Sequence, residues 1–216
     1  MVIQFPDVDL TGIKGVLLDL DNCLYAYDAC HAAALEACIK LLEEKFSETS
    51  REELLAAYDK SRKTCHQELD GTASSHSRLL YFSGVVEDIS SRTDAALTLE
   101  LEELYWSTYM DTMELDSKAL DFLKQCQAQS IPICLVTDLT LQTQLRKVVK
   151  LGISDYIQFI TSSEEAGLEK PAAKIFELAL SKLGLKTDEV IMIGDNPKKD
   201  IAGAQALNIK AYQVSS

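Results

Sequence analysis

Five short runs along the chain are almost entirely apolar and rich in Val, Ile and Leu. Runs of this length that lack polar alternation are typical of strands buried on both faces of a sheet. The pattern therefore predicts five buried strands, at Gly15–Asp19, Ile131–Thr137, Tyr156–Thr161, Val190–Gly194 and Ile209–Val214.

The segments between the later runs have apolar residues at helical spacing. On the segment Leu141–Leu151, the predicted apolar stripe consists of Leu145, Val148 and Val149. Pro171 is expected in the first turn of the following helix, where its fixed φ is favourable. Strand alternating with helix predicts an α/β fold with a doubly wound, Rossmann-like parallel sheet. The predicted helices are Ser117–Gln129, Leu141–Leu151, Ala172–Leu183 and Asp200–Leu207.

The strand pattern disappears between the first and second runs, and helical patterns replace it. Ser50 and Glu53 have the spacing of a capping box at a helix start. We expect residues 24–112 to form an inserted, all-helical cap subdomain, with residues 1–23 and 113–216 forming the core domain. The predicted cap helices are Ala32–Phe46, one after Ser50, one around Arg78–Phe82, and Asp94–Tyr109.

Charge narrows the range of partners. The chain has 216 residues, with 21 basic and 34 acidic side chains, so its formal charge is 21 − 34 = −13. Such a surface repels nucleic acid, and we expect no nucleic-acid partner. It also repels anionic substrates, so a phosphate site would need a local cation.

The six cysteines include no CxxC pair, and Cys30 and Cys38 are expected to be buried as small apolar residues. The first 30 residues lack a basic start followed by a long apolar run, and no run approaches the roughly 20 residues that a bilayer requires. We therefore expect a cytoplasmic protein without a membrane partner. The oligomeric state stays open.

Polar residues follow four of the predicted elements at the edge where parallel sheets bind ligands. Asp19 and Asp21 follow the first strand, and Thr137 ends the second. The carboxylates bring together hard oxygen ligands of the kind that Mg²⁺ prefers. Lys170 supplies a positive charge for a phosphate. The remaining members of this set are Lys170 before a helix, and Asp195 and Asp200 after the fourth strand.

These motifs resemble the haloacid dehalogenase superfamily. Asp-x-Asp-x-x-Leu follows a strand, a strand ends in Thr, Lys-Pro opens a helix, and Gly-Asp-x-x-x-x-Asp follows the last motif strand. The ordered set covers essentially the whole chain. The helical insertion after the first motif is similar to the subclass with a cap in that position.

The resemblance implies a role for each motif residue. Asp19 would be the nucleophile that forms an aspartyl-phosphate, and Asp21 would be the general acid and base. Mg²⁺ would be held by the carboxylates of Asp19 and Asp195 and by the main-chain carbonyl of Asp21. Thr137 would bind a phosphoryl oxygen, and Lys170 would offset the charge there. Two outer residues complete the expected site: Asp200, orienting Lys170 or a metal-bound water, and Asn196, which is equally compatible with a simple turn.

Two positions depart from the family pattern. Cys23 stands where Thr is frequent, so a hydroxyl hydrogen bond is missing there. Asp138 follows Thr137 where Asn or Gly is frequent, and a carboxylate that pointed inward could repel an anion. We expect Asp138 to point outward and to cap the helix that begins near Thr140.

Contacts with the non-reacting part of the substrate are harder to assign. Tyr25 follows the first motif, and His76 and Arg78 lie in a polar stretch of the insertion, so these three and Asp138 are candidates. A solvated surface is the favoured explanation of the polar stretch, and core packing explains Tyr25 equally well.

The sequence favours a Mg²⁺-dependent phosphatase acting on a small phosphorylated metabolite. A phosphomutase would share every motif and stays open as an alternative, as does a catalytically silent, phosphate-binding regulator. A dehalogenase is disfavoured, because that chemistry needs no metal and usually lacks the second carboxylate of the first motif.

Overall fold

The computed structural model describes residues 3–215. The chain divides into two compact units. The core unit comprises Met1–Tyr27, Gly71–Ala73 and Met113–Ser216, and the helical unit comprises Asp28–Asp70 and Ser74–Thr112.

The core unit contains a five-stranded sheet in which every neighbouring pair is parallel, as predicted. The strand order is β3-β2-β1-β4-β5, so β1 lies at the centre between β2 and β4. All residues of β1, β2 and β4 are buried, which agrees with their continuous apolar sequences. The predicted burial is wrong for the two edge strands, since β3 is half-buried at its start and β5 is exposed at both ends. The strands are β1 (Gly15–Leu18), β2 (Ile133–Thr137), β3 (Phe159–Ser162), β4 (Val190–Gly194) and β5 (Lys210–Gln213).

The helical unit contains four α-helices, and α2 packs on α3, which packs on α4. Ser50 and Glu53 form the predicted capping box at the start of α2. Buried aromatic residues fill the interior of this unit, including Tyr58, Phe82 and Tyr105. The helices are α1 (Tyr27–Lys45), α2 (Arg51–Glu68), α3 (Arg78–Ser90) and α4 (Ala95–Thr112).

Five further α-helices lie in the described residues of the core unit. Asp116 caps the first of them, accepting hydrogen bonds from the main-chain N–H groups of Lys118 and Ala119. Within the described part of the chain, no helix combines the length and apolar character needed to cross a membrane. The helices are α5 (Ser117–Ala128), α6 (Leu141–Leu151), α7 (Ser163–Ala166), α8 (Ala173–Leu183) and α9 (Gly203–Ala206).

Of the predicted apolar stripe of α6, only Val148 is buried. Leu145 is 45% exposed and Val149 is 71% exposed, whereas the polar residues Gln144 and Lys147 are buried. The helix is rotated from the orientation that its apolar residues indicate. The two polar residues instead meet partners at the end of the sheet, which offsets the cost of their burial.

Three other boundaries differ from the prediction. Pro171 precedes α8 by two residues and lies outside its first turn. The third strand begins at Phe159, because Ser154–Tyr156 forms a 3₁₀ turn in place of the expected strand start. The segment Pro197–Ala202 is a π-helix and only Gly203–Ala206 is α-helical, where one helix was predicted.

Candidate active site

The central position of β1 brings the motif residues together. Asp19 immediately follows β1, Thr137 ends β2, and Asp195 immediately follows β4. Because β2 and β4 are both parallel neighbours of β1, their carboxyl ends share one edge of the sheet. The expected cluster therefore forms where parallel sheets bind ligands.

Lys170 is the buried cation of this cluster. Its Nζ atom lies 2.5 Å from Asp19 Oδ1 and 2.7 Å from Asp200 Oδ1, and its side chain is 4% exposed. Burial alone would lower the pKa of Lys170, but Asp19, Asp200 and Asp138 outweigh it and raise that pKa well above its usual range. Lys170 is therefore a fixed positive charge beside Asp19.

Three carboxylates converge at the same point. One oxygen from each of Asp19, Asp195 and Asp200 lies within 4.8 Å of the other two. Burial raises the pKa of Asp19 well above its usual range; Lys170 opposes this shift, and Asp200 and Asp195 add to it. Burial and Asp200 likewise raise the pKa of Asp195. The arrangement carries more negative charge than Lys170 neutralises, and hard oxygen donors at this spacing fit a divalent cation.

Asp200 lies closer to this centre than the sequence indicates. Besides facing Lys170, it accepts a hydrogen bond from the main-chain N–H of Asn196 at 2.9 Å through Oδ2. It is fully buried and belongs to the group of three carboxylates. Asn196 itself accepts hydrogen bonds from the main-chain N–H groups of Lys198 and Lys199, and so caps the π-helical turn.

The carboxylate of Asp21 is held by three side chains. Lys147 Nζ lies 2.7 and 2.9 Å from its two oxygens, the hydroxyl of Tyr25 donates to Oδ1, and Gln144 Nε2 lies 3.4 Å from Oδ2. Burial would raise the pKa of Asp21, but Lys147, Tyr25 and Gln144 together lower it. The ionised carboxylate is thereby favoured.

Thr137 is fully buried at the end of β2. Its hydroxyl oxygen accepts a hydrogen bond from Gln144 Nε2 at 2.5 Å, while its own contact with the carbonyl of Asp138 is long, at 3.4 Å. The hydroxyl hydrogen of Thr137 therefore has only a weak acceptor and can turn to a phosphoryl oxygen.

The expected capping role of Asp138 is wrong. Thr140 is the N-cap of α6 but its side chain makes no cap hydrogen bond, and Glu164 Oε2 accepts the main-chain N–H of Leu141 at 2.8 Å. Asp138 instead accepts the main-chain N–H of Lys170 at 3.0 Å and pairs with Lys199 Nζ at 2.8 Å. Lys199 also lies 3.0 Å from Glu169. Asp138 departs from the family pattern by adding a carboxylate, and Lys199 offsets its negative charge. This reduces the repulsion between Asp138 and a bound anion.

Cys23 is fully buried. Burial raises the pKa of its thiol well above the usual range, and the charge of Asp19 adds to the shift. The thiol consequently stays protonated and packs in the loop. Cys23 therefore fills the position where the family frequently has a threonine hydroxyl, but its protonated thiol is not a nucleophile.

Two candidate substrate residues lie in the helical unit. Arg78 is 6% exposed, and its guanidinium lies 5.1 to 5.6 Å from the ring centres of Tyr81, Tyr105 and Trp106. It also donates to the carbonyl of His76 at 2.6 Å. Packing contacts within the helical unit therefore account for the burial of Arg78.

Sequence reasoning missed Gln144, Lys147 and Lys199. The first two are polar residues three positions apart on one helix, a spacing that places them on the same face. This spacing was the available signal, but the apolar residues of α6 directed attention to a different face. No local signal identifies Lys199, because its partners lie 30 and 61 positions away.

The chain is similar in sequence to known proteins over most of its length. Residues 13–208 match the family described as haloacid dehalogenase-like hydrolase. The chain is 36% identical to the ribulose-1,5-bisphosphate 5-phosphatase of Halopiger xanaduensis over 90% of this chain and 82% of that protein. It is 29% identical to the glyceraldehyde 3-phosphate phosphatase of Methanopyrus kandleri, over 94% and 84% of the two chains.

Solved structures share the fold. The crystal structure of a 2-haloacid dehalogenase from Pseudomonas syringae pv. Tomato superposes with a TM-score of 0.75 and 23% identity, covering 93% of this chain and 86% of that one. At this identity the likeness concerns the fold alone. The family match over nearly the whole chain and the 36% identical relative show that the protein belongs to the haloacid dehalogenase-like hydrolase family.

Proposed function

We propose that this protein is a Mg²⁺-dependent phosphatase that hydrolyses a small phosphorylated metabolite through an aspartyl-phosphate on Asp19. The observation that carries the proposal is the environment of the Asp19 carboxylate. The buried ammonium group of Lys170 contacts one oxygen of Asp19, and the carboxylates of Asp195 and Asp200 lie close enough to share a cation with Asp19. The named phosphatases among its relatives support the same reaction class.

The metal would be held by the carboxylates of Asp19, Asp195 and Asp200, together with the main-chain carbonyl of Asp21. When bound, Mg²⁺ supplies positive charge to the phosphoryl oxygens and to the crowded carboxylates. Lys170 adds a second positive charge beside Asp19, and the hydroxyl of Thr137 donates to a phosphoryl oxygen. Together these groups offset the charge of a phosphate in an acidic protein.

In the first half-reaction, a carboxylate oxygen of Asp19 attacks phosphorus, and the bond from phosphorus to the ester oxygen breaks. Asp21 gives a proton to the departing oxygen, which leaves as an alcohol. A bound phosphate dianion favours the protonated form of Asp21, because a nearby like charge raises a carboxyl pKa.

In the second half-reaction, water attacks phosphorus and Asp21 accepts one of its protons. The bond between phosphorus and Asp19 breaks, and inorganic phosphate and the free carboxylate are released. The ionised form of Asp21, which Lys147 and Tyr25 favour, is the form that this half-reaction requires.

The proposal is tested by hydrolysis of p-nitrophenyl phosphate, with Mg²⁺ and with EDTA, by the wild type and by Asp19→Asn. We expect turnover only in the wild type with metal. A panel of phosphorylated metabolites then defines the substrate, beginning with ribulose 1,5-bisphosphate and glyceraldehyde 3-phosphate because named relatives act on them. Turnover that persists in Asp19→Asn, or a well-folded wild type that hydrolyses no phosphate ester, would contradict the proposal.

We also propose a cytoplasmic setting for this activity. Cys23, Cys30, Cys38, Cys65, Cys126 and Cys134 are all free, which suits a reducing compartment.

A further inference from the structure

Lys147 is a buried lysine outside the four motifs, and it binds a residue of the first motif. Its side chain is 1% exposed and its Nζ atom contacts both oxygens of Asp21, which lies 126 positions earlier in the chain. The Asp21 side chain is 30% exposed, so the ion pair is half-buried. Such a pair commonly contributes little net stability, because desolvation offsets the attraction. A role in the chemistry of Asp21 explains the pair better than stability does.

The contacts distinguish the two oxygens of Asp21. Oδ1 receives the Tyr25 hydroxyl and Lys147 Nζ at 2.7 Å. Oδ2 receives Lys147 Nζ at 2.9 Å and the amide of Gln144 at 3.4 Å, which is at the outer limit of a hydrogen bond. Oδ1 is therefore firmly held, and Oδ2 is the oxygen that can most easily take another partner.

We propose that Lys147 is a positioning residue for phosphoryl transfer. It fixes Oδ1 of Asp21 so that Oδ2 faces the leaving oxygen and, later, the attacking water. The inference rests on the proposed function, since it concerns the proton transfers assigned to Asp21. Gln144 links the same arrangement to Thr137, because its amide group donates to both side chains.

The positioning role of Lys147 can be tested by comparing substrates with different leaving groups. An alkyl alkoxide is a poor leaving group and needs a proton as it departs, whereas p-nitrophenolate leaves without one. General acid catalysis contributes roughly 10² to 10⁴ in rate where it is needed. Disordering Asp21 should therefore slow an alkyl phosphate much more than p-nitrophenyl phosphate, while general damage to the site slows both equally.

The experiment compares kcat/KM for p-nitrophenyl phosphate and glycerol 3-phosphate in the wild type, Lys147→Met, Lys147→Arg and the control Lys150→Met. Lys150 is an exposed lysine on the same helix. For Lys147→Met we expect the ratio of alkyl to aryl rates to fall by about tenfold to a hundredfold, as part of the general acid contribution. Lys147→Arg, which keeps a charged donor, should recover most of the ratio, and Lys150→Met should keep it.

Equal losses on both substrates in Lys147→Met, or no loss, would overturn the inference and leave the proposed function standing. A wild type that hydrolyses no phosphate ester of the metabolite panel would overturn both. If Lys147→Met does not fold, Lys147→Gln replaces it in the comparison, because this change also removes the charge that binds Asp21 but keeps a polar side chain at the buried position. A selective loss on glycerol 3-phosphate in Lys147→Gln supports the inference, and an unchanged ratio overturns it.

Discussion

Lys170 Nζ lies 2.5 Å from Asp19 Oδ1, although the two residues are 151 positions apart in the chain. The contact places a fixed positive charge on the carboxylate that we assign as the nucleophile. It also joins the loop before α8 to the central strand of the sheet, so the chemistry depends on the fold of the core unit.

Lys170→Met should lower kcat/KM by roughly 10² to 10³, the loss typical of removing one group that stabilises charge in the transition state. It should also destabilise the protein in EDTA, since Asp19 and Asp200 lose their buried partner. We expect added Mg²⁺ to recover part of the melting temperature. Lys174→Met, which changes an exposed lysine of α8, is the matched control. A fully active Lys170→Met would contradict its assigned role.

Lys199 and Asp138 should behave as a coupled pair. Lys199→Met leaves two partly buried carboxylates, Asp138 and Glu169, without their shared cation, and we expect a loss of about 1 to 3 kcal/mol in the free energy of unfolding. Asp138→Asn should reduce that loss, giving a coupling of about 0.5 to 3 kcal/mol in a double-mutant cycle measured by denaturant unfolding. Lys198→Met serves as the exposed control. Strictly additive effects would show that the pair is not coupled.

Gly194 allows Asp200 to approach the end of β4. A Cβ atom at this position would lie 2.4 Å from Asp200 Oδ2, so Gly194→Ala must displace that carboxylate from Asn196 and Lys170. We expect kcat to fall by roughly 10²-fold, because small displacements in a reacting site are costly. Steady-state kinetics at saturating Mg²⁺ measures this loss. Wild-type kcat in Gly194→Ala would mean that the position of Asp200 is unimportant.

His31 should make stability depend on pH. Burial lowers its pKa to about 4, and the charges of Arg78 and Arg62 add to this shift, so the folded state favours the neutral ring. In the unfolded chain, histidine takes up a proton near pH 6.5. The contribution to stability is therefore complete above about pH 6.5 and is lost as the pH falls towards 4.

One proton taken up on unfolding gives a slope of at most about 1.4 kcal/mol per pH unit within that window. Denaturant unfolding at several pH values measures the slope, and partial exposure of the ring will reduce it. His31→Gln should flatten the dependence between these limits. An identical slope in this variant would assign the effect to other groups.

The sequence predicted the parallel sheet because strands buried on both faces need continuous apolar sequence, which leaves little ambiguity. It also indicated Asp19, Thr137, Lys170 and Asp195, because each immediately follows or ends such a strand or precedes a helix. These signals are local. Their meeting point then follows from the general rule that parallel strands share a carboxyl edge.

The partners of Asp21 and Asp138 could not be predicted in the same way. Lys147 and Gln144 are buried only because Asp21 and Thr137 satisfy them, and these pairs lie 126 and 7 positions apart. The sequence nevertheless predicted that Leu145 and Val149 are buried beside Val148, and of these three only Val148 is buried. The orientation of a helix is set by the total of its tertiary contacts, so one well-satisfied buried charge can outweigh two exposed apolar residues.

Trapping the covalent intermediate is the most direct test of Asp19 as the nucleophile. The wild type is mixed with Mg²⁺ and substrate, quenched with acid in the steady state, and reduced with borohydride, which converts an aspartyl-phosphate to homoserine. Peptide mass spectrometry should find homoserine at position 19 only when substrate was present. Homoserine at another position, or unmodified Asp19 in samples that also show a burst of product, would contradict the proposed mechanism.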